Sequence, residues 1–200
     1  MIILDVETTD LDPKRHAIVS VGAIDFSQPS NQFYRECRIW AGAEVDKAAL
    51  QVNGFTEASI RDPGKPSLEA LLIQFWQWLQ TVDERTIAGE NPSFDRDFLL
   101  ASAERYTMDF QLGYRTVDLH SLCYCDHLRR GIAPPIKNGR SDLNLDRILA
   151  HLGLPAEPTP HHAMVGAKLE AEAFSRLVRG EGLLEEFAGK QTPNGVGGRD

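Results

Sequence analysis

The sequence predicts an α/β fold: a mixed five-stranded sheet, part antiparallel meander and part parallel, covered by helices. Three observations carry this prediction. Three apolar stretches follow one another within the first 39 residues with little more than turns between them, so short hairpins suffice to connect them. Two further short apolar stretches, at residues 86–89 and 115–119, are each followed by helical periodicity, the alternation that makes strands parallel neighbours. The chain of 200 residues is 42% hydrophobic, enough for one sizeable core and short of what two ordinary domains need. A single domain over residues 1–188 is therefore expected.

In order along the chain, residues 2–7 are an apolar run interrupted by Asp5 and Glu7, which at i and i+2 in a strand share one face. Residues 10–15 form a turn signalled by Asp12-Pro13. Ile18, Val19, Val21, Ala23, Ile24 and Phe26 read as the second strand and residues 31–39 as the third. A short helix around residues 48–53 ends at Gly54, and the Pro-rich residues 62–66 break the chain before Ser67, an N-cap. Leu68, Leu71, Leu72, Phe75, Trp76 and Leu79 then repeat at helical spacing, with Trp76 and Trp78 read as packing residues. Helical periodicity over residues 93–106 places Asp95 in a first turn just beyond a strand end. A helix follows the strand candidate at residues 115–119 and runs through Leu128, with a looser stretch after it at residues 131–139. Ser141 is expected to cap a helix over residues 142–152, with Leu145, Ile148, Leu149 and Leu152 as its apolar stripe. Pro155, Pro158 and Pro160 hold the chain extended as far as His161, and an amphipathic helix over residues 163–179 closes at Gly180. The glycine-rich residues 189–200 read as a disordered tail.

Composition narrows the partners. No apolar run approaches the ~20 residues of a membrane span and no leader precedes the first strand, so a soluble, cytoplasmic protein is expected. Cys37, Cys123 and Cys125 are too few and too irregular for a disulfide framework and read as reduced thiols. The net charge of -8 argues against a protein that grips long duplex through many phosphates, though not against one that handles a strand end. Arg129, Arg130, Lys137 and Arg140 gather in one segment and read as a solvated loop.

The chemistry begins with Asp5 and Glu7. Two carboxylates on one strand face repel unless something neutralises them, and a hard divalent cation does so with oxygen ligands. Thr8-Thr9, Asp95 and His161 keep them company. Together, Asp5-Val6-Glu7-Thr8-Thr9 with Leu11, Asn91-Pro92-Ser93-Phe94-Asp95, and residues 161–167 resemble the three motifs of the DEDD 3′-5′ exonucleases, in the histidine-bearing DEDDh branch of the ribonuclease H-like superfamily. That branch includes polymerase proofreading domains and oligoribonuclease. Residues 50–56 are similar to the family's segment between meander and helix.

The resemblance implies a ribonuclease H-like fold and phosphodiester hydrolysis at the 3′ end of single-stranded DNA or RNA or a short oligonucleotide, releasing nucleoside 5′-monophosphates. It implies two divalent cations, Mg²⁺ or Mn²⁺, about 3.5 to 4 Å apart. Asp5 would bridge both, Glu7 would bind the ion that activates water, Asp95 would help hold the other, and His161 would be the general base. Leu11 would wedge beside the terminal base, with Thr8 and Asn91 as further substrate contacts. His161 is chosen over His162 by register: it leaves Gly166 five residues on, where the family has its last aspartate, whereas His162 would leave Ala167 there.

Gly166 is thus a vacated acid position, and the resemblance implies weak metal binding and a severe loss of rate. Glycine also makes poor helical sense, costing roughly 1 kcal/mol relative to alanine. Glu170, four residues on, lies on the same helix face and is the nearest replacement, but a surface charge paired with a neighbouring arginine is its preferred reading. Asp10 and Glu90 depart from residues common in the family near the strand terminus. The alternative to an impaired exonuclease is an inactive nucleic-acid-binding or interaction module that keeps the fold.

Overall fold

A computed structural model describes residues 1–190 and 193. The expected tail at 189–200 therefore lies largely outside the described residues. Strand β1 (Ile2–Thr8) is the centre of the five-stranded sheet. On one side it pairs antiparallel with β2 (Ile18–Asp25), which pairs antiparallel with β3 (Gln32–Glu36). On the other side it runs parallel to β4 (Ile87–Gly89), which is parallel to β5 (Thr116–Asp118), giving the order β3-β2-β1-β4-β5. The mixed sheet follows the connections: turns link the first three strands, whereas helices must carry the chain back between parallel ones.

The helices are α1 (Lys47–Asn53), α2 (Glu57–Ile60), α3 (Leu68–Leu79), α4 (Pro92–Arg105), α5 (Leu119–Arg129), α6 (Leu145–His151) and α7 (Ala163–Arg179). They divide between the two faces of the sheet. Ile2, Leu4 and Val6 of β1 enter one core with Leu71, Leu72 and Phe75 of α3 and Phe98 and Leu99 of α4. Ile3 enters the other with Leu119 of α5, Ile148 of α6, and Ala167 and Phe174 of α7. Strand alternation therefore puts Asp5 and Glu7 on the α7 side. Gly22 of β2 lets α7 come close: a Cβ there would lie 2.3 Å from the Ala163 backbone. The far half of α7 is tied down by a buried pair, Arg176 Nε donating to Glu172 Oε1 at 2.8 Å, while Glu172 Oε2 accepts the Leu183 and Leu184 N–H groups.

Several details differ from expectation. The third strand stops at Glu36 because the chain turns away to other partners: the Arg38 N–H donates to the Pro66 carbonyl and the Ile39 N–H to that of Ile60. The short helix α2 has no apolar period to announce it, only a capping box of Thr56 and Ser59. Residues 131–139 are not simply loose, for β6 (Ile136–Lys137) and β7 (Arg140–Ser141) form a hairpin through Asn138-Gly139, both at positive φ. Ser141 consequently belongs to a strand, its Oγ within 2.8 Å of His120 Nε2, and Asn144 caps α6 instead.

Arg129 and Arg130 are also more than a solvated loop, since both pair with the buried Asp126, which His151 approaches at 2.8 Å. Cys37 and Cys123 are buried and Cys125 exposed, all as free thiols. Among the described residues no helix is long and apolar enough to cross a membrane.

Candidate active site

The cleft where β1 ends is about 580 Å³ and is lined by residues from widely separated parts of the chain. Asp5, Glu7, Thr8 and Leu11 come from β1 and the loop after it, Asn91 and Asp95 from the start of α4, Glu157 and His161 from the segment before α7, and Glu170 from α7 itself. All the residues singled out in the sequence thus meet at one place, except Gly166, which lies behind Asp5. Among the described residues, nine carboxylate residues line the cleft and no lysine or arginine does.

Each side chain is held by local structure. A β-bulge between Glu7 and Thr8 ends the regular pairing of β1 with β2, and bulges of this kind re-aim side chains near sites. Asn53, at the end of α1, donates its Nδ2–H to the Thr8 carbonyl at 3.0 Å, and Thr8 Oγ1 donates to the Asp10 carbonyl. Asp95 is buried in the first turn of α4, and its Oδ1 accepts the Val6 N–H at 2.9 Å, which locks α4 to the central strand. Asn91 sits at φ 50°, its N–H directed to Asp118 Oδ1. Leu11 stands at the mouth with 74% of its surface exposed.

The two histidines are separated by their neighbours. His162 caps α7 through Nδ1, which accepts the Met164 N–H, and its ring stacks on Tyr34 with centroids 4.4 Å apart. His161 donates its N–H to the Val52 carbonyl and points its ring into the cleft, with Nδ1 3.5 Å from Glu157 Oε2. Only His161 lines the site.

Two acids change the picture drawn from the sequence. Glu157 gives no periodic signal in its proline-rich stretch, yet one ligand atom from each of Glu7, Glu157 and His161 lies within 4.8 Å of the others. Glu170 is not a surface charge paired with an arginine: it is 5% exposed and faces Asp5 and Asp95. The acid that does pair with an arginine on α7 is Glu172. At Gly166 a Cβ would lie 2.0 Å from Asp5 Oδ2 and 3.2 Å from Glu157 Oε1.

Crowding buried acids together makes them hard to ionise. Burial first, then the charges of Glu7, Asp95 and Glu157, hold Asp5 well above the usual carboxylate range. Burial and then Glu157 push Glu7 up to about 7. Asp95 is raised chiefly by burial, against the N–H groups that it accepts, and Glu170 by burial and then by Asp5 and Asp95. Such a set has the donor chemistry of a hard divalent cation, whose charge removes the repulsion. A second cluster, Cys123, His127 and His151, also brings one ligand atom from each within 4.8 Å of the others, but its groups are engaged with one another and with the backbone. Its imidazoles stack at 4.1 Å, His127 Nδ1 lies 2.9 Å from the Cys123 carbonyl, and His151 is held by Asp126.

Acids and one histidine thus gather at the end of the central strand of a five-stranded mixed sheet, and the family match gives the class of protein, an exonuclease. More particularly, the chain belongs to the RNase T exonuclease family, matched over residues 2–174. It is 26% identical over 182 residues to the 3′-5′ DNA exonuclease Cap18 of Escherichia coli, covering 88% of this chain and 90% of that protein. It spans about half the length (53%) of a ribonuclease T of Hahella chejuensis, to which it is 29% identical over 52% of its own length. Among solved structures, E. coli exonuclease I in complex with a dA16 oligonucleotide superposes with a TM-score of 0.72 at 22% identity, over 90% of this chain and 40% of that one. The nuclease domain of 3′hExo, a DEDDh family member bound to rAMP, gives 0.69 at 16% identity, over 92% and 94%.

Proposed function

We propose that this protein hydrolyses single-stranded nucleic acid from its 3′ end, with divalent cations, and releases nucleoside 5′-monophosphates. The observation that carries the reading is the convergence of Asp5, Glu7, Asp95 and His161 on one cleft free of lysine and arginine. A pair of Mg²⁺ or Mn²⁺ ions held by Asp5, Glu7 and Asp95 would neutralise charge at the scissile phosphate and make bound water a nucleophile near neutral pH.

The chain's own groups do the rest. His161 accepts a proton from the attacking water, a task suited to an imidazole whose ordinary pKa lies near working pH. Glu157 Oε2, 3.5 Å from Nδ1 of His161, is placed to orient the ring when it carries a proton there. Leu11, exposed at the mouth, offers an apolar surface to the terminal base, while Thr8 and Asn91 meet the terminal nucleotide. The absence of basic residues from the cleft lining disfavours a long duplex, whose binding rests on many phosphate contacts.

The rival, a binding module without turnover, is favoured by one observation, the glycine at position 166. The two part in a single assay. A 5′-labelled single-stranded DNA and its RNA counterpart are incubated with the protein and Mn²⁺, with a blunt duplex as control. Stepwise shortening of at least one single strand, with monophosphate release and little action on the duplex, is the expected result. Retention of both strands without shortening overturns the enzymatic reading.

A further inference from the structure

We propose that Glu170 is a metal-ligating residue of this site, supplying from one turn further along α7 the acid that position 166 lacks. The proposal rests on the reading of the cleft as a divalent-cation site. Residues 166 and 170 are one turn apart on the same face of α7, and helical side chains lean toward the N-terminus, so a longer acid at 170 reaches back toward the place of a shorter one at 166. The carboxyl of Glu170 lines the cleft and is near enough to Asp5 and Asp95 for their charges to act on it.

Room for it is provided on both sides. Gly89, at the end of β4, has no side chain in the way: a Cβ there would lie 2.7 Å from Glu170 Oε2. At Gly166 the space belongs to Asp5, whose Oδ2 lies where a side chain would begin. An aspartate at 166 would have to displace Asp5, so glycine at 166 and glutamate at 170 form one consistent arrangement.

The remaining observation concerns satisfaction. Glu170 Oε2 is fully enclosed and has no hydrogen-bond partner among the described residues, although the side chain lines the cleft. A buried, unpartnered carboxyl oxygen is expensive, and a leucine or glutamine would fill the volume at lower cost. A cation shared with Asp5 and Asp95 satisfies it. Glu157 is the competing candidate, since its Oε1 also lies near the vacated position, but its other oxygen is already engaged with His161.

The test is calorimetric titration of Mn²⁺ into the full chain, with no nucleic acid present, for the protein as it is and for Glu170→Gln, Glu157→Gln and Gly166→Asp. The proposal expects Glu170→Gln to weaken or abolish one binding event by at least about tenfold. It expects Glu157→Gln to keep both events and Gly166→Asp to bind no more tightly than the parent. Melting in EDTA guards the result, since it shows whether an amide of nearly the same shape as the acid keeps the fold. An unchanged isotherm for Glu170→Gln overturns the proposal, as does an ion lost only in Glu157→Gln, or a tenfold gain in Gly166→Asp. If the parent chain binds no Mn²⁺ at all, the reading beneath the proposal falls with it.

Discussion

At the scale of residues, the site rests on the contrast between two adjacent histidines. His162 is occupied as a helix cap and stacked on Tyr34, whereas His161 turns into the cleft beside Glu157. Replacing His161 with alanine is expected to lower the rate of strand shortening about 10²- to 10⁴-fold, the usual worth of a general base. His162→Ala should leave turnover near its parent value while lowering the melting temperature; equal rate losses in the two variants would refute the assignment. Asp5 and Glu7 are legible in the sequence because a strand's period of two places them on one face without further knowledge. Glu157 is not, since an irregular proline-rich stretch has no period from which to place a side chain. Glu170 is the instructive middle case. Helical periodicity gives its face correctly but not how deeply that face is buried.

Depth is decided at the scale of elements, and chiefly by Gly22. With no side chain on that strand position, the first turn of α7 rests directly on β2, and the residues behind it sink toward β1. Any larger residue at Gly22 meets the Ala163 backbone, which cannot swing aside as a side chain would. Gly22→Val is therefore expected to lower unfolding stability by about 1–3 kcal/mol, read from the denaturant midpoint. It should also weaken Mn²⁺ binding, because α7 carries Glu170 and follows His161. A variant with parental stability and metal affinity would show that the close approach is dispensable. The long elements, β1, β2, α3, α4 and α7, are readable from periodicity within a residue or two. The hairpin of β6 and β7 is signalled only by Asn138-Gly139, a two-residue turn suited to positive φ, and missing it shifts the expected start of α6 toward Ser141.

For the whole molecule, the proposed metal site implies a coupling between ion binding and stability, because a cation would relieve the repulsion among the crowded acids. Ions that bind the folded chain and not the unfolded one stabilise it by mass action, about 2.7 kcal/mol at a hundredfold excess over Kd. Thermal melting with Mn²⁺ should therefore run several degrees above melting in EDTA, and Asp5→Asn should shrink that gap; identical curves with and without the ion would count against a metal site. The fold as a whole is the more legible part, because hairpins and crossovers follow from the order of apolar stretches. The site is less so, because which acids meet depends on how closely two layers approach.

The cleft's lack of lysine and arginine has a consequence for the order of events. A wall of carboxylates does not attract a polyanion by itself, so under the proposed function the attraction for a strand end within the cleft would come from the cations bound there. Linkage makes that reciprocal: whatever the ions add to the grip on nucleic acid, the nucleic acid adds to the grip on the ions. The protein would then behave as a coincidence detector, closing on a strand only when free divalent metal and a 3′ end are present together.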